Sequence, residues 1–139
     1  MNKFCWNYSK NFDPPAPIIE VVFLTPDEKL SFPHIGTIPL LVDSGYDGYI
    51  LIPDKVFNWS LNLNLYLAPV KAYVEHPTGI KEPLKVSRGI VQIPKAKLKI
   101  LTFLETYENC EETLAGRRFL NQYKILLNGP EEKTCFLVR

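Results

Sequence analysis

The sequence predicts an all-β fold, assembled from short strands with one or two short helices. Twelve prolines and seven glycines fall at short intervals along the 139 residues and break up any long helix. Between them lie brief runs of β-branched and alternating apolar residues, the pattern of strands that are at least half buried. With 46% apolar and 12% aromatic residues there is material for one core, and the length suits one domain. Elements of this kind make a compact β-barrel or folded sheet.

Residues 1–17 read as an irregular arm, with Asp13-Pro14-Pro15-Ala16-Pro17 as stiff, extended chain. Residues 18–139 read as the folded domain. Ile18 to Leu24 is a β-branched strand, closed by a turn at Thr25-Pro26-Asp27-Glu28. Thr37 to Val42 is a second strand in which Pro39, lacking an N–H, calls for an edge position or a bulge. Tyr49 to Ile52 is a short buried strand, and Pro53 opens a helix that runs to about Ser60. From Leu63 to Ile93 two extended stretches flank His76-Pro77-Thr78-Gly79, the tip of a β-hairpin. Lys95 to Ile100 alternates lysines with apolar residues and reads as a half-buried strand whose lysine face meets solvent. Arg117 to Tyr123 has the apolar spacing of a short helix. Ile125 to Leu127 is a strand, Asn128-Gly129-Pro130 a turn, and Cys135 to Val138 a final strand.

The formal charge of +1, with no concentrated basic patch, gives no support to nucleic-acid or membrane-surface binding. No apolar run has the length of a membrane span, and Met1 to Lys10 has no signal-peptide core. The expected location is the cytoplasm. Cys5, Cys110 and Cys135 form an odd set without metal-ligand spacing, so buried or idle thiols are the favoured reading. A Cys5–Cys135 bridge between the two ends stays open, because some thermophile cytosols hold disulfides. His34 and His76 stand apart from any ligand-spaced cluster, so neither a metal nor another cofactor is expected.

One segment concentrates the chemistry: Leu40-Leu41-Val42-Asp43-Ser44-Gly45-Tyr46-Asp47-Gly48-Tyr49-Ile50-Leu51-Ile52-Pro53. An apolar strand delivers an acid, a hydroxyl and a glycine, and a second apolar strand leaves at once. Gly45 allows a sharp turn and the approach of another backbone. Asp-Ser-Gly alone is also turn vocabulary, so the weight lies in its context. Downstream stands Leu114-Ala115-Gly116-Arg117-Arg118-Phe119-Leu120, an apolar pair and a glycine that lead into the short helix.

Taken together these segments resemble the retropepsin-like aspartic peptidases, in particular their small prokaryotic single-domain members. The likeness runs from about Ile18 to Leu127. It implies a closed, mainly antiparallel β-barrel in which the Asp43 loop is pinned by the Leu114-Ala115-Gly116 segment. It also implies a hairpin flap at Tyr73 to Pro83. Asp43 matches the catalytic aspartate, and Ser44, Gly45, Asp47, Gly116 and Arg117 match positions that support it, with Asp47 and Arg117 as an ion pair. Tyr46 in the pocket wall and His76, Thr78 and Gly79 of the flap match substrate-binding positions. Ser44 stands where Thr is commoner, Tyr46 is bulkier than its usual counterpart, and Pro77 and Pro83 stiffen the flap.

A chain with one such aspartate implies a homodimer, with two Asp43 carboxylates facing across a two-fold axis to activate water against a peptide or protein substrate. The alternatives are an inactive dimeric scaffold or peptide-binding module of the same fold, and a small β-barrel that binds a ligand or nucleic acid.

Overall fold

The computed structural model describes residues 1–139. It is an all-β structure of eleven strands with a four-residue α-helix, α1 (Arg117–Leu120), and short π and 3-10 turns. The strands are β1 (Asn2–Asn7), β2 (Ile18–Leu24), β3 (Ser31–Phe32), β4 (Ile38–Val42), β5 (Ile50–Leu51), β6 (Ala72–Glu75), β7 (Lys81–Ile93), β8 (Leu98–Thr106), β9 (Leu114–Ala115), β10 (Lys124–Asn128) and β11 (Lys133–Val138). Eight of them form one sheet in the order β3-β2-β4-β9-β5-β8-β7-β6, in which β2 also pairs with β7. The other three form a separate sheet, β1-β11-β10. This differs from the single closed barrel implied by the resemblance: β3 and β6 hang on the ends of the large sheet, and the chain termini build a second one.

The core follows from the strand patterns. Seven-residue β2 buries every side chain but Glu20, because β4, β7 and the terminal sheet all close on it. Phe23, Leu40, Ile50, Phe57, Leu63, Val91, Leu104 and Phe119 are among the buried residues of one apolar cluster. Burying an aromatic or a leucine of this size is worth about 1.5–3 kcal/mol. Pro39 is tolerated for the expected reason. The Leu41 N–H, two residues on, points to Thr113 beside β9, which pairs with β4 only at Leu41 and Val42. Pro39 faces the same side below the end of β9, where no ladder bond is lost.

The helix opened by Pro53 runs to Ser60 as read, although Val56–Ser60 is wound as a π turn. The alternation at Lys95 to Ile100 misled more seriously. Pro94–Ala96 is a 3-10 turn and Lys97 adopts left-handed φ (54°), so the strand β8 begins only at Leu98. The lysines do not form one row: Lys95 lies over the Trp6 ring, whereas Lys99 pairs with Glu28.

The N-terminal arm is irregular only from Tyr8 onward. Asn2–Asn7 pairs antiparallel with β11, and Cys5 stands opposite Cys135. Those two residues form a disulfide, and Cys110 is the one free, buried thiol. The bridge corrects the expectation of three idle thiols. Strand pairing holds the two ends in register, and it is the β1–β11 ladder, invisible in local spacing, that sets the sulfurs face to face. No helix is long and apolar enough to cross a membrane.

The disulfide spans a sequence separation of 130 residues, so it restricts the unfolded chain severely. Cys135→Ser, or reduction of the wild type, is expected to destabilise the fold by about 2–5 kcal/mol. Denaturant unfolding with and without reductant measures this, and an unchanged midpoint would show that the bridge contributes nothing.

Candidate active site

The site is built on a crossing of three strands. β9 lies between β4 and β5, parallel to the first (Leu41↔Leu114, Val42↔Ala115) and antiparallel to the second (Ile50↔Ala115, Leu51↔Leu114). The chain leaving β4 must therefore pass over the end of β9 to enter β5, and residues 43–49 make that passage. Asp43 is the first of them. Its N–H donates to Ala115 O (3.0 Å), its carbonyl accepts from Tyr46 N–H (3.2 Å), and its Oδ1 accepts from Gly45 N–H (2.9 Å). The carboxylate is thus oriented by the turn it opens. Asp43 is half-buried, whereas Ser44 and Gly45 are exposed.

The Leu114-Ala115-Gly116 segment pins the loop as the sequence led one to expect. Gly116 N–H donates to Tyr49 O (2.7 Å), Arg117 N–H to Tyr46 O (2.8 Å) and Arg118 N–H to Gly48 O (3.0 Å). The need for glycine at 116 is steric. A Cβ there would stand 2.4 Å from Gly48 O and 2.9 Å from Tyr46 O, both main-chain atoms. The expected Arg117–Asp47 ion pair is absent. The salt bridges of the chain are His76–Glu82 and Lys99–Glu28, and the Arg117 and Asp47 side chains are exposed. Main-chain donors at the start of α1 bind the loop directly, which leaves the arginine side chain free of that task.

The side-chain anchor of the loop is a residue that sequence reasoning missed, Glu105 near the end of β8. Its Oε1 accepts both the Tyr46 hydroxyl (2.6 Å) and the Tyr49 N–H (3.0 Å). Glu105 is only 5% exposed. Burial raises its carboxyl above the ordinary value, opposed by the Tyr46 and Tyr49 hydrogen bonds and the charge of Arg118. Burial, and then the Glu105 charge, push the Tyr46 phenol upward, so it stays a donor. The available signal was a single acid in the otherwise uncharged run Ile100 to Tyr107. Its burial depends on the parallel pairing of β5 with β8, Leu51↔Glu105, which local pattern does not show.

The β-hairpin expected from Tyr73 to Pro83 is present, and those two residues stand opposite each other in its register. Its tip is a tight turn in which Gly79 N–H donates to His76 O (2.8 Å), with Gly79 at φ +84°, a conformation that favours glycine. The His76 ring packs edge-on against Tyr107, with centroids 5.4 Å apart. Its Nε2 approaches Glu82 Oε1 to 3.0 Å without a well-aligned hydrogen bond. Thr78 and Gly79 are exposed.

Two hollows flank the Asp43 loop. One of about 610 Å³ is lined by Asp43, Leu41, Leu114 and the arm residues Asn11 and Phe12. The other, of about 490 Å³, lies between the loop and the flap stem, with Tyr46, Asp47, Glu105, Arg118 and Tyr73 in its walls. The structure therefore brings Asp43, Ser44, Gly45, Tyr46, Asp47, Gly116 and Arg117 to one place. His76, Thr78 and Gly79 line neither hollow. No group of three or more His, Cys, Asp or Glu side chains is placed to hold a metal ion.

Gly116→Ala is expected to destabilise the fold by about 1–3 kcal/mol, since its methyl meets main-chain oxygens that cannot rotate away. Gly129→Ala, where no atom lies within 4 Å, should stay within about 0.5 kcal/mol. Equal melting temperatures for the two variants would contradict the close approach. Glu105 adds a pH signature. A carboxyl raised in the fold stabilises it with the proton on. That contribution is full below the ordinary value near 4.5 and is lost as pH rises through the higher native value. Glu105→Gln should therefore gain stability over wild type as pH rises through that window, measured by urea unfolding. A constant difference across pH would refute this.

No protein-family model matches the sequence. The fold is similar to that of a solved retropepsin, the EIAV protease complexed with the inhibitor HBY-793. The TM-score is 0.52 and the identity 15%, over 82% of this chain and 92% of that one. At that identity the likeness speaks for the fold. In sequence the chain is 30% identical to an uncharacterized protein of Archaeoglobus fulgidus over 113 residues, which cover 81% of this chain and 87% of the other. The chain belongs to one family with this archaeal protein.

Proposed function

We propose that the protein is an aspartic endopeptidase that acts as a homodimer, each copy supplying Asp43. The observation that carries this reading is the Asp43-Ser44-Gly45 turn at the exit of β4. It sits in a retropepsin-like fold, its carboxylate oriented by Gly45 N–H and its Ser44 and Gly45 left exposed. One such aspartate per chain calls for a two-fold partner. The free edge strand β10, with Leu126 and Leu127 about half exposed, offers apolar surface for one.

Two carboxylates brought face to face cannot both ionise, so the pair shares one proton. A water between them loses a proton to the charged carboxylate and adds its oxygen to the peptide carbonyl carbon. The neutral carboxyl gives its proton to the carbonyl oxygen. The carboxyl that took the water's proton then gives it to the amide nitrogen as the C–N bond breaks. One hydroxyl of the tetrahedral diol returns its proton to the other carboxylate as the carbonyl reforms, so the pair again holds one proton. Ser44 would fix the two loops against each other, and the Gly45 carbonyl would meet the substrate backbone. Neither a metal nor a cofactor is required.

A second reading has an observation of its own. The flap tip shares no hollow with Asp43 in the single chain, which suits an inactive scaffold that binds peptides. Asp43→Asn discriminates. On the enzyme reading it abolishes hydrolysis of a quenched-fluorescence peptide library yet leaves a folded protein. Hydrolysis by wild type should follow a bell-shaped pH profile with an acid optimum, and sedimentation should show a dimer where activity is seen. Hydrolysis retained by Asp43→Asn would falsify the assignment, and a wild type that binds but never cleaves would favour the scaffold.

A further inference from the structure

We propose that Glu105 is the positioning residue of the catalytic loop, holding the segment that carries Asp43 through Tyr46 and Tyr49; this rests on the peptidase reading. The loop of residues 43–49 is gripped from two sides. On one side the N–H groups of Gly116, Arg117 and Arg118 bond to the carbonyls of Tyr49, Tyr46 and Gly48. On the other, one oxygen of Glu105 accepts from the Tyr46 side chain and the Tyr49 main chain at 2.6 and 3.0 Å. Tyr46 N–H in turn bonds to Asp43 O, and Gly45 N–H to the Asp43 carboxylate. A shift of Tyr46 therefore reaches the catalytic oxygen through two hydrogen bonds and three residues of chain.

Packing around Glu105 allows little else. A Cβ at Gly48 would stand 2.4 Å from Glu105 Oε1 and 2.5 Å from the Tyr46 hydroxyl, so the loop closes on the carboxyl only with glycine there. A buried carboxyl is costly where an apolar side chain would fill the space, and buried carboxyls with specific partners gather at functional sites. The ionisable groups facing Glu105 are Tyr46 and Asp47 from the loop and Arg118 from α1. The group accepts from Tyr46 and Tyr49 whether or not its second oxygen carries a proton, so the grip holds through the acid range where an aspartate pair works. Glu105 acts on the reaction only through the loop it holds. It fills, from β8, the bracing role that the resemblance had assigned to the Arg117–Asp47 pair.

The test compares Glu105→Ala, Glu105→Gln and Tyr46→Phe in the full-length protein. Its readouts are amide hydrogen exchange at Gly45, Tyr46 and Tyr49, and kcat and KM on a quenched-fluorescence peptide library. Glu105→Ala is expected to speed exchange at all three amides and to lower kcat on the order of 100-fold with KM little changed, the cost of a misplaced catalytic group. Glutamine keeps a carbonyl that accepts both donors, so Glu105→Gln should rescue both readouts. If Glu105→Ala fails to fold, Tyr46→Phe, which lacks only the hydroxyl, decides against Glu105→Gln: faster exchange and lower kcat in the phenylalanine variant alone support the proposal. Unchanged exchange and kcat in Tyr46→Phe, or a Glu105→Gln as impaired as Glu105→Ala, would overturn it. A wild type that cleaves no peptide defeats the peptidase reading by itself, while the exchange pattern still decides whether Glu105 holds the loop.

Discussion

Two residues of extended chain, Leu114 and Ala115, run between β4 and β5 and bond to both. That insertion determines much of the site. It separates two strands that are close in sequence, so the chain between them must bridge β9 in a few residues. It delivers Gly116 to within contact of the bridge, where any side chain would collide with main-chain oxygens. It also starts α1 with its first N–H groups directed at the loop carbonyls, which would otherwise be left without partners near the core. The loop carrying Asp43 is thus formed by tertiary structure, and no local preference for a turn could give it the same rigidity.

The terminal sheet solves a different problem. Both ends of the chain are strands, and a free strand edge at each terminus invites fraying and unwanted pairing. Pairing β1 with β11 and linking them through Cys5 and Cys135 converts the two ends into one unit. Trp6, 5% exposed, joins the apolar cluster from that sheet. β10, at an open edge of that sheet, leaves Leu126 and Leu127 about half exposed.

What was legible in the sequence is what local spacing encodes. The apolar flanks of Asp43 and Ser44 gave β4 and β5, and the turn residues around His76 gave the hairpin, whose register only the structure supplies. The Leu114-Ala115-Gly116 segment beside the loop came from the family resemblance. The misreadings share a cause. The first half of the Lys95–Ile100 alternation is a turn because Ile93 pairs with Leu98 across it, and only Leu98 onward is strand. Asn2–Asn7 becomes a strand only beside β11, and the cysteine bridge follows from that pairing. Glu105 is buried because β5 lies beside β8, and its partners come from a loop 56 or more residues away. The Arg117–Asp47 pair failed in the opposite sense. The position matched the resemblance, but main-chain bonds already made the connection, and two exposed charges gain little by meeting.

The arrangement within the loop bears on how a dimer would assemble. Asp43, Tyr46, Gly48 and Tyr49 are buried or half-buried and bonded within one chain, whereas Ser44, Gly45 and Asp47 face outward. Within the single chain, bonds from β9, Gly116, the start of α1, Glu105 and the loop itself already shape it. A loop ordered only on association would subtract its ordering cost from the affinity of the two copies. Here that cost belongs to folding, and association on the dimeric reading has only to bring two preformed turns together. Such an interface could be weak and still set two carboxylates in a working geometry, because their positions depend on the protomer interior. Internal bonding and outward exposure are therefore carried by different residues of one short segment.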